Sequence, residues 1–200
     1  MFKSVVMIDG GYLRAVSTAA RFKYTPPFIQ AVARQCHNPG EESLLKILYY
    51  DCPPFAGELT YPVSSKKEKR TPDAHWLNEL SRMDYFAVRL GTVKFRGLTL
   101  LKVPPPPRAL TDENFKPVFE QKGVDMRIGI DIASMSERAI VERVVLLSGD
   151  TDMVPAMKHA RKCGIQVVAV ELPDRRLPSD LLTHADIHRK IDRPPEFKPQ

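Results

Sequence analysis

The stretch Val144-Val145-Leu146-Leu147-Ser148-Gly149-Asp150-Thr151-Asp152 constrains this chain more than any other. Four consecutive apolar residues, two of them β-branched, suit a strand buried on both faces. The run stops at two carboxylates one residue apart, and Gly149 is read as the pivot of a sharp turn. A helix is expected to follow, from about Asp152 to Cys163. Met153, Met157 and Ala160 mark its apolar side, Pro155 is tolerated in its first turn, and Gly164 stops it. Acids at the end of a buried strand cost free energy unless something positive faces them. A divalent cation is the natural counter-charge.

The same grammar recurs. Val5–Ile8 runs into Asp9-Gly10-Gly11, and Leu44–Tyr50 runs into Asp51. Tyr85–Leu90 and Ile165–Val170 read as two more strands. Helices are expected over Tyr12–Ala20, over Phe28–Cys36 after Pro26-Pro27, from Pro72-Asp73 onward with Trp76, Leu77 and Leu80 inward, over Val124–Ser136, and over Pro178–His184. Strands alternating with helices imply an α/β fold: a mainly parallel central sheet with helices on both faces. The crevice of such a sheet lies at the carboxyl ends of its strands. Asp9 and Asp150 then become neighbours, although about 140 residues separate them in sequence.

One domain is expected over residues 1–192, with a loose tail at 193–200. Residues 52–72 lack periodicity and carry Lys66-Lys67-Glu68-Lys69-Arg70, so they read as an exposed insert loop. Lys66 and Lys67 are candidate phosphate contacts. Thr92–Val103 reads as a hairpin with Arg96-Gly97 at its tip. Pro104–Pro107 reads as polyproline-like, opening a surface connection to about Pro117. Hydrophobic residues make up 43% of the chain, which excludes a disordered polymer. No apolar run approaches the roughly 20 residues that span a bilayer, so no membrane partner is expected. No secretory leader pattern follows Met1, and a cytoplasmic location is the default expectation. Cys36, Cys52 and Cys163 are too few and too scattered for a disulfide framework or a thiolate zinc site. A net charge of +6 suits a polyanionic partner. Self-association is left open.

Four acids are candidates for chemistry: Asp9, Asp125, Asp150 and Asp152. Each alone could be a helix cap. Together at one sheet edge they repel one another, which a cap does not require. Asp131, six residues after Asp125, points about 120° away around its helix and is not expected beside it. Four carboxylates without histidine or cysteine form a hard oxygen set, suited to Mg²⁺ or Mn²⁺. Such an ion activates water and balances charge in phosphodiester cleavage, while basic residues hold the backbone. Lys122 and Ser148, beside the acids, are further candidate substrate contacts. His184 and His188 are four apart, a spacing that binds metal on a helix, but no companion ligand accompanies them and exposed histidines are expected. Nucleotide-loop and serine-hydrolase motifs are absent.

Met7-Ile8-Asp9-Gly10-Gly11, Lys122-Gly123-Val124-Asp125 with Asp131, and Ser148-Gly149-Asp150-Thr151-Asp152-Met153-Val154-Pro155 occur in that order. Together they resemble the NYN domain family of the PIN-like nuclease superfamily, over about residues 3–190. The resemblance implies a PIN-like fold and a metal-dependent nuclease, most readily an endoribonuclease, with RNA as partner. Its carboxylate cluster maps onto Asp9, Asp125, Asp150 and Asp152. Tyr12 departs from the pattern, since many members have asparagine there. The alternative is a catalytically silent nucleic-acid-binding or scaffold module of the same fold. A phosphatase ranks last, because Gly11 stands where its second acid would be.

Overall fold

A computed structural model of the chain describes residues 1–71, 73–104, 109–173 and 175–199. Six strands form one parallel sheet: β1 (Phe2–Asp9), β2 (Glu42–Asp51), β5 (Phe86–Leu90), β8 (Arg143–Leu147), β9 (Gln166–Glu171) and β10 (Ile187–Lys190). Their order is β10-β9-β8-β1-β2-β5. The chain begins in the middle of the sheet, winds outward through β2 and β5, then returns to β1's other side for β8. The winding direction therefore reverses between β1 and β8, the place where such sheets open a crevice.

The apolar runs follow from two-sided burial. Val6, Ile8 and Tyr49 face one layer, while Val5, Met7 and Tyr50 face the other. The first layer is covered by α1 (Gly10–Ala19), α2 (Pro26–Cys36) and α3 (His75–Ser81). Trp76 packs there, edge-on to Tyr24 and Tyr49. The second layer is covered by α4 (Val124–Glu137), α5 (Val154–Lys162) and α6 (Ser179–His184). Each fully buried aliphatic side chain contributes about 1.5–3 kcal/mol. At β8 all five residues are buried.

The amino-terminal end of the sheet holds a closed ion cluster. Glu42, with a side chain 0% exposed, receives Arg143 Nη1 at 2.8 Å and Arg189 Nη2 at 2.6 Å. Arg143 also reaches Glu41 at 3.1 Å. Burial pushes the Glu42 carboxyl up, but its hydrogen bonds from Arg189, Arg143 and the Asn38 N–H bring it below the usual range.

Several expectations need correction. The 52–72 insert is not a featureless loop: β3 (Gly57–Thr60) and β4 (Lys67–Arg70) pair antiparallel within it. Arg96-Gly97 is not a hairpin tip. The strand β6 (Thr92–Leu100) continues through it with a register shift between Phe95 and Leu98, and pairs with β7 (Phe115–Lys122). A bulge and a turn share the same glycine signature, so local composition misplaced the reversal. Pro72 and Pro105–Pro107, read as a helix opening and a polyproline run, lie outside the described residues. His188 sits on β10 rather than on a helix with His184, and its Nε2 lies 3.4 Å from Glu171. The tail is partly docked, because the Phe197 ring stands edge-on to Phe28 at 5.4 Å.

Candidate active site

Asp9 is the last residue of β1 and the N-cap of α1. Its Oδ1 accepts the Tyr12 N–H at 3.0 Å. The helix can start this abruptly because residue 10 is glycine: a Cβ there would lie 2.4 Å from the Tyr49 hydroxyl. In the next strand the register pairs Ile8 with Leu147, so Asp9 and Ser148 leave the sheet side by side. The buried Ser148 hydroxyl donates to Asp9 Oδ2 at 3.2 Å and accepts the Asp150 N–H at 3.2 Å. Ser148 thus ties the two acid-bearing turns together and, being buried, is placed to position them rather than to meet substrate.

Asp150 caps the 3₁₀ turn Thr151–Met153, accepting the Asp152 N–H at 2.9 Å. That turn leads into α5, so the expected helix begins as 3₁₀ and becomes α at Val154. Gly149 is the pivot of this turn, without a left-handed backbone. It is not among the glycines with positive φ. It is needed for a different reason: a Cβ would lie 2.4 Å from the ring of Tyr12. Tyr12 therefore lies flat against the loop that carries Asp150, and its buried hydroxyl has no hydrogen-bond partner among the described residues. Burial raises the phenol to about 12.

Asp125 occupies the first turn of α4, behind the left-handed Gly123 (φ 80°). Partial desolvation raises its carboxyl, and Asp150 and then Asp152 add to the shift. Burial raises Asp9 as well; the hydrogen bonds from Tyr12 and Ser148 oppose this, and Asp125 adds repulsion. Asp125 therefore acts on Asp9, and the Asp150 loop acts on Asp125. Asp131 is elsewhere, accepting the Tyr50 hydroxyl at 2.8 Å and lying 3.4 Å from Arg89 Nε. Lys122 Nζ is paired with Glu120, Lys67 Nζ lies 2.8 Å from Glu58, and Lys66 is exposed.

The donor chemistry fits a hard divalent cation. All four acids offer oxygen, and among the described residues no lysine, arginine or histidine forms an ion pair with any of them. Burial first, and neighbouring acids second, hold the Asp9 and Asp125 carboxyls above the usual range. The four are neighbours in electrostatic range rather than a closed coordination sphere: among the described residues, no three His, Cys, Asp or Glu side chains are set to share one ion.

Sequence reading missed the hub beside this notch. Asp51, 0% exposed, accepts Arg14 Nη2 at 2.6 Å, the Tyr49 hydroxyl at 2.8 Å and the Cys52 N–H at 2.7 Å. Its signal was available, since Leu44–Tyr50 is also an apolar run ending in an acid.

The model of the NYN domain matches residues 63–192. The chain belongs to the NYN domain family. That membership carries a nuclease-like, PIN-like fold, in agreement with the six-stranded parallel sheet. A crystal structure of a protein of unknown function from Vibrio parahaemolyticus aligns over 96% of this chain and 94% of its own, with a TM-score of 0.57 and 18% identity. The likeness extends the shared fold over the first strands, which the family match does not reach. No curated protein matches the chain. No described helix is long and apolar enough to cross a membrane.

Proposed function

We propose that this NYN domain is a Mg²⁺- or Mn²⁺-dependent endonuclease whose substrate is RNA. What supports the reading is that Ser148 links Asp9 to the Asp150 backbone at the crevice between β1 and β8, that Asp125 interacts electrostatically with both acids, and that none of the four acids is in an ion pair among the described residues. Asp9, Asp125 and Asp150 would hold the cation, and Asp152 would be a further ligand or orient the attacking water. A cation bound there supplies Lewis acidity, activating water and balancing charge that develops on the phosphate. Ser148 holds Asp9 and the Asp150 backbone in register. Tyr12 fixes the loop against α1, where an asparagine would instead present a polar amide.

The test is cleavage of labelled RNA with manganese or magnesium. Wild type should cleave, EDTA should stop it, and Asp150→Asn should lose activity while melting normally. Undiminished cleavage in excess EDTA, or by the variant, removes the mechanism. One observation favours a second reading, that of a silent binding module: Asp9 and Asp150 both already serve as caps. A wild type with no turnover and no thermal shift at millimolar metal would establish it.

A further inference from the structure

A cleft of about 590 Å³ opens beside the acids, between α1, the end of β2 and the two antiparallel ribbons β3-β4 and β6-β7. Arg14, Arg70, Phe55, Phe119 and Gln121 line it, and Asp73 is on its wall. The cleft reaches the acid notch at Gly11: a methyl on that Cα would lie 3.0 Å from Gln121 Oε1 and 3.3 Å from Asp9 Oδ1. Gln121 thus lines the cleft and approaches the same glycine as Asp9.

The arginines are held, not floating. Arg14 is anchored by the buried Asp51, and its guanidinium carbon lies 5.8 Å from the centre of the Tyr24 ring. Yet a third of its side chain remains exposed, 34%, and its hydrogen bond uses Nη2 alone among the described residues. A buried ion pair is weak evidence for stability. A rigid guanidinium with spare N–H groups is a good phosphate clamp. Arg70 is steered in the same way, by Glu68 at 2.8 Å and by the Phe119 ring at 5.7 Å. Asp73 is occupied, accepting the His75 N–H at 3.0 Å.

Between these cations lie flat apolar faces. Phe55 and Phe119 sit 5.1 Å apart, and Phe95 backs both, at 5.8 and 5.9 Å. The trio belongs to neither of the two main cores. Phe119 keeps 37% of its surface exposed. Arginine forks beside one exposed and one half-buried ring match a chain of phosphates bearing unstacked bases. Bases inside a duplex are already stacked and offer no face.

We infer that this cleft is the binding track for a single-stranded nucleic acid, with Arg14 and Arg70 on phosphates and Phe119 and Phe55 under bases, feeding the strand to the acid notch. The inference rests on the nuclease reading but is testable without catalysis. Anisotropy of a short labelled oligouridine, the matching oligodeoxythymidine and a duplex is measured on the full chain in EDTA. Both single strands should bind, with the tighter naming the natural sugar. Phe119→Ala and Arg70→Gln should each weaken binding roughly tenfold, and Arg70→Gln should also flatten the salt dependence by about one phosphate contact. Arg14→Lys should weaken binding while preserving the charge opposite Asp51. Lys162→Gln, at the far end of α5, should change nothing. If Arg14→Lys melts early, the two other variants decide alone. Wild-type affinity in both of those, or a duplex bound as tightly and equally weakened by Phe119→Ala, overturns the track. Cleavage by wild type with binding unaltered in the variants removes the track and keeps the nuclease. Binding lost in the variants, with a wild type that never cleaves, removes the nuclease and keeps the track.

Discussion

Two clusters of acids on one sheet treat negative charge in opposite ways. At the amino end, Glu42 is buried and surrounded by Arg143 and Arg189, and its carboxyl is held down. At the carboxyl end, burial, with a smaller push from neighbouring acids, holds the Asp9 and Asp125 carboxyls up, and no ion pair reaches either among the described residues. The first arrangement is complete without anything else. The second gains a matching charge only from outside the chain. A stability role and a binding role can thus be told apart by whether the partner charge is built in.

Four experiments bear on that contrast. The largest effect is expected at the carboxyl end: Asp150→Asn should lower cleavage by about a hundredfold or more with little change in melting. The next is expected at the amino end. Glu42→Ala strands two arginines and should cost about 3 kcal/mol or more in urea unfolding. A loss under 1 kcal/mol would show that Glu41 suffices for Arg143.

Gly149→Ala should cost about 1–3 kcal/mol, because the new Cβ meets the Tyr12 ring. Combining it with Tyr12→Ala should recover part of the loss, since two residues in contact are not additive. Additive losses would mean that the loop strains for another reason.

The smallest effects follow from protonation. A lowered carboxyl stabilises above its unfolded value, and that contribution is lost as pH falls through its folded value. Glu42 behaves so, and the gap between wild type and Glu42→Gln should close on acidification below about pH 4. A raised carboxyl works in reverse: its contribution is present at low pH and lost as pH rises through the folded value. Asp9→Asn should therefore raise the melting temperature slightly at neutral pH, by about 1–3 °C, while reducing cleavage. A lower melting temperature would mean that the Tyr12 and Ser148 hydrogen bonds outweigh the burial of the charge.

The central strands and the candidate acids were legible because each strand is buried on both faces. That demands a largely apolar run, and the run ends at the candidate acid. Asp131 could be set apart by helical phase alone. The ribbons were not legible in the same way. β3, β4, β6 and β7 are half exposed, β6 and β7 pair around a connection of fourteen residues, and Arg96-Gly97 serves a bulge as readily as a turn. β10 was missed because Ile187–Lys190 is a short, polar edge strand. Arg14 was missed because an arginine in a first helix is ordinary. Only the fold brings it to Asp51.

The central place of β1 also dictates when the acids can meet. Its hydrogen bonds go to β2, about forty residues on, and to β8, about 140 residues on. Closing the longer of those loops is a late and slow event in folding. Asp9 has no Asp150 beside it until then. During synthesis, the acids of the two turns stay apart until β8 and the residues that follow it have emerged and docked.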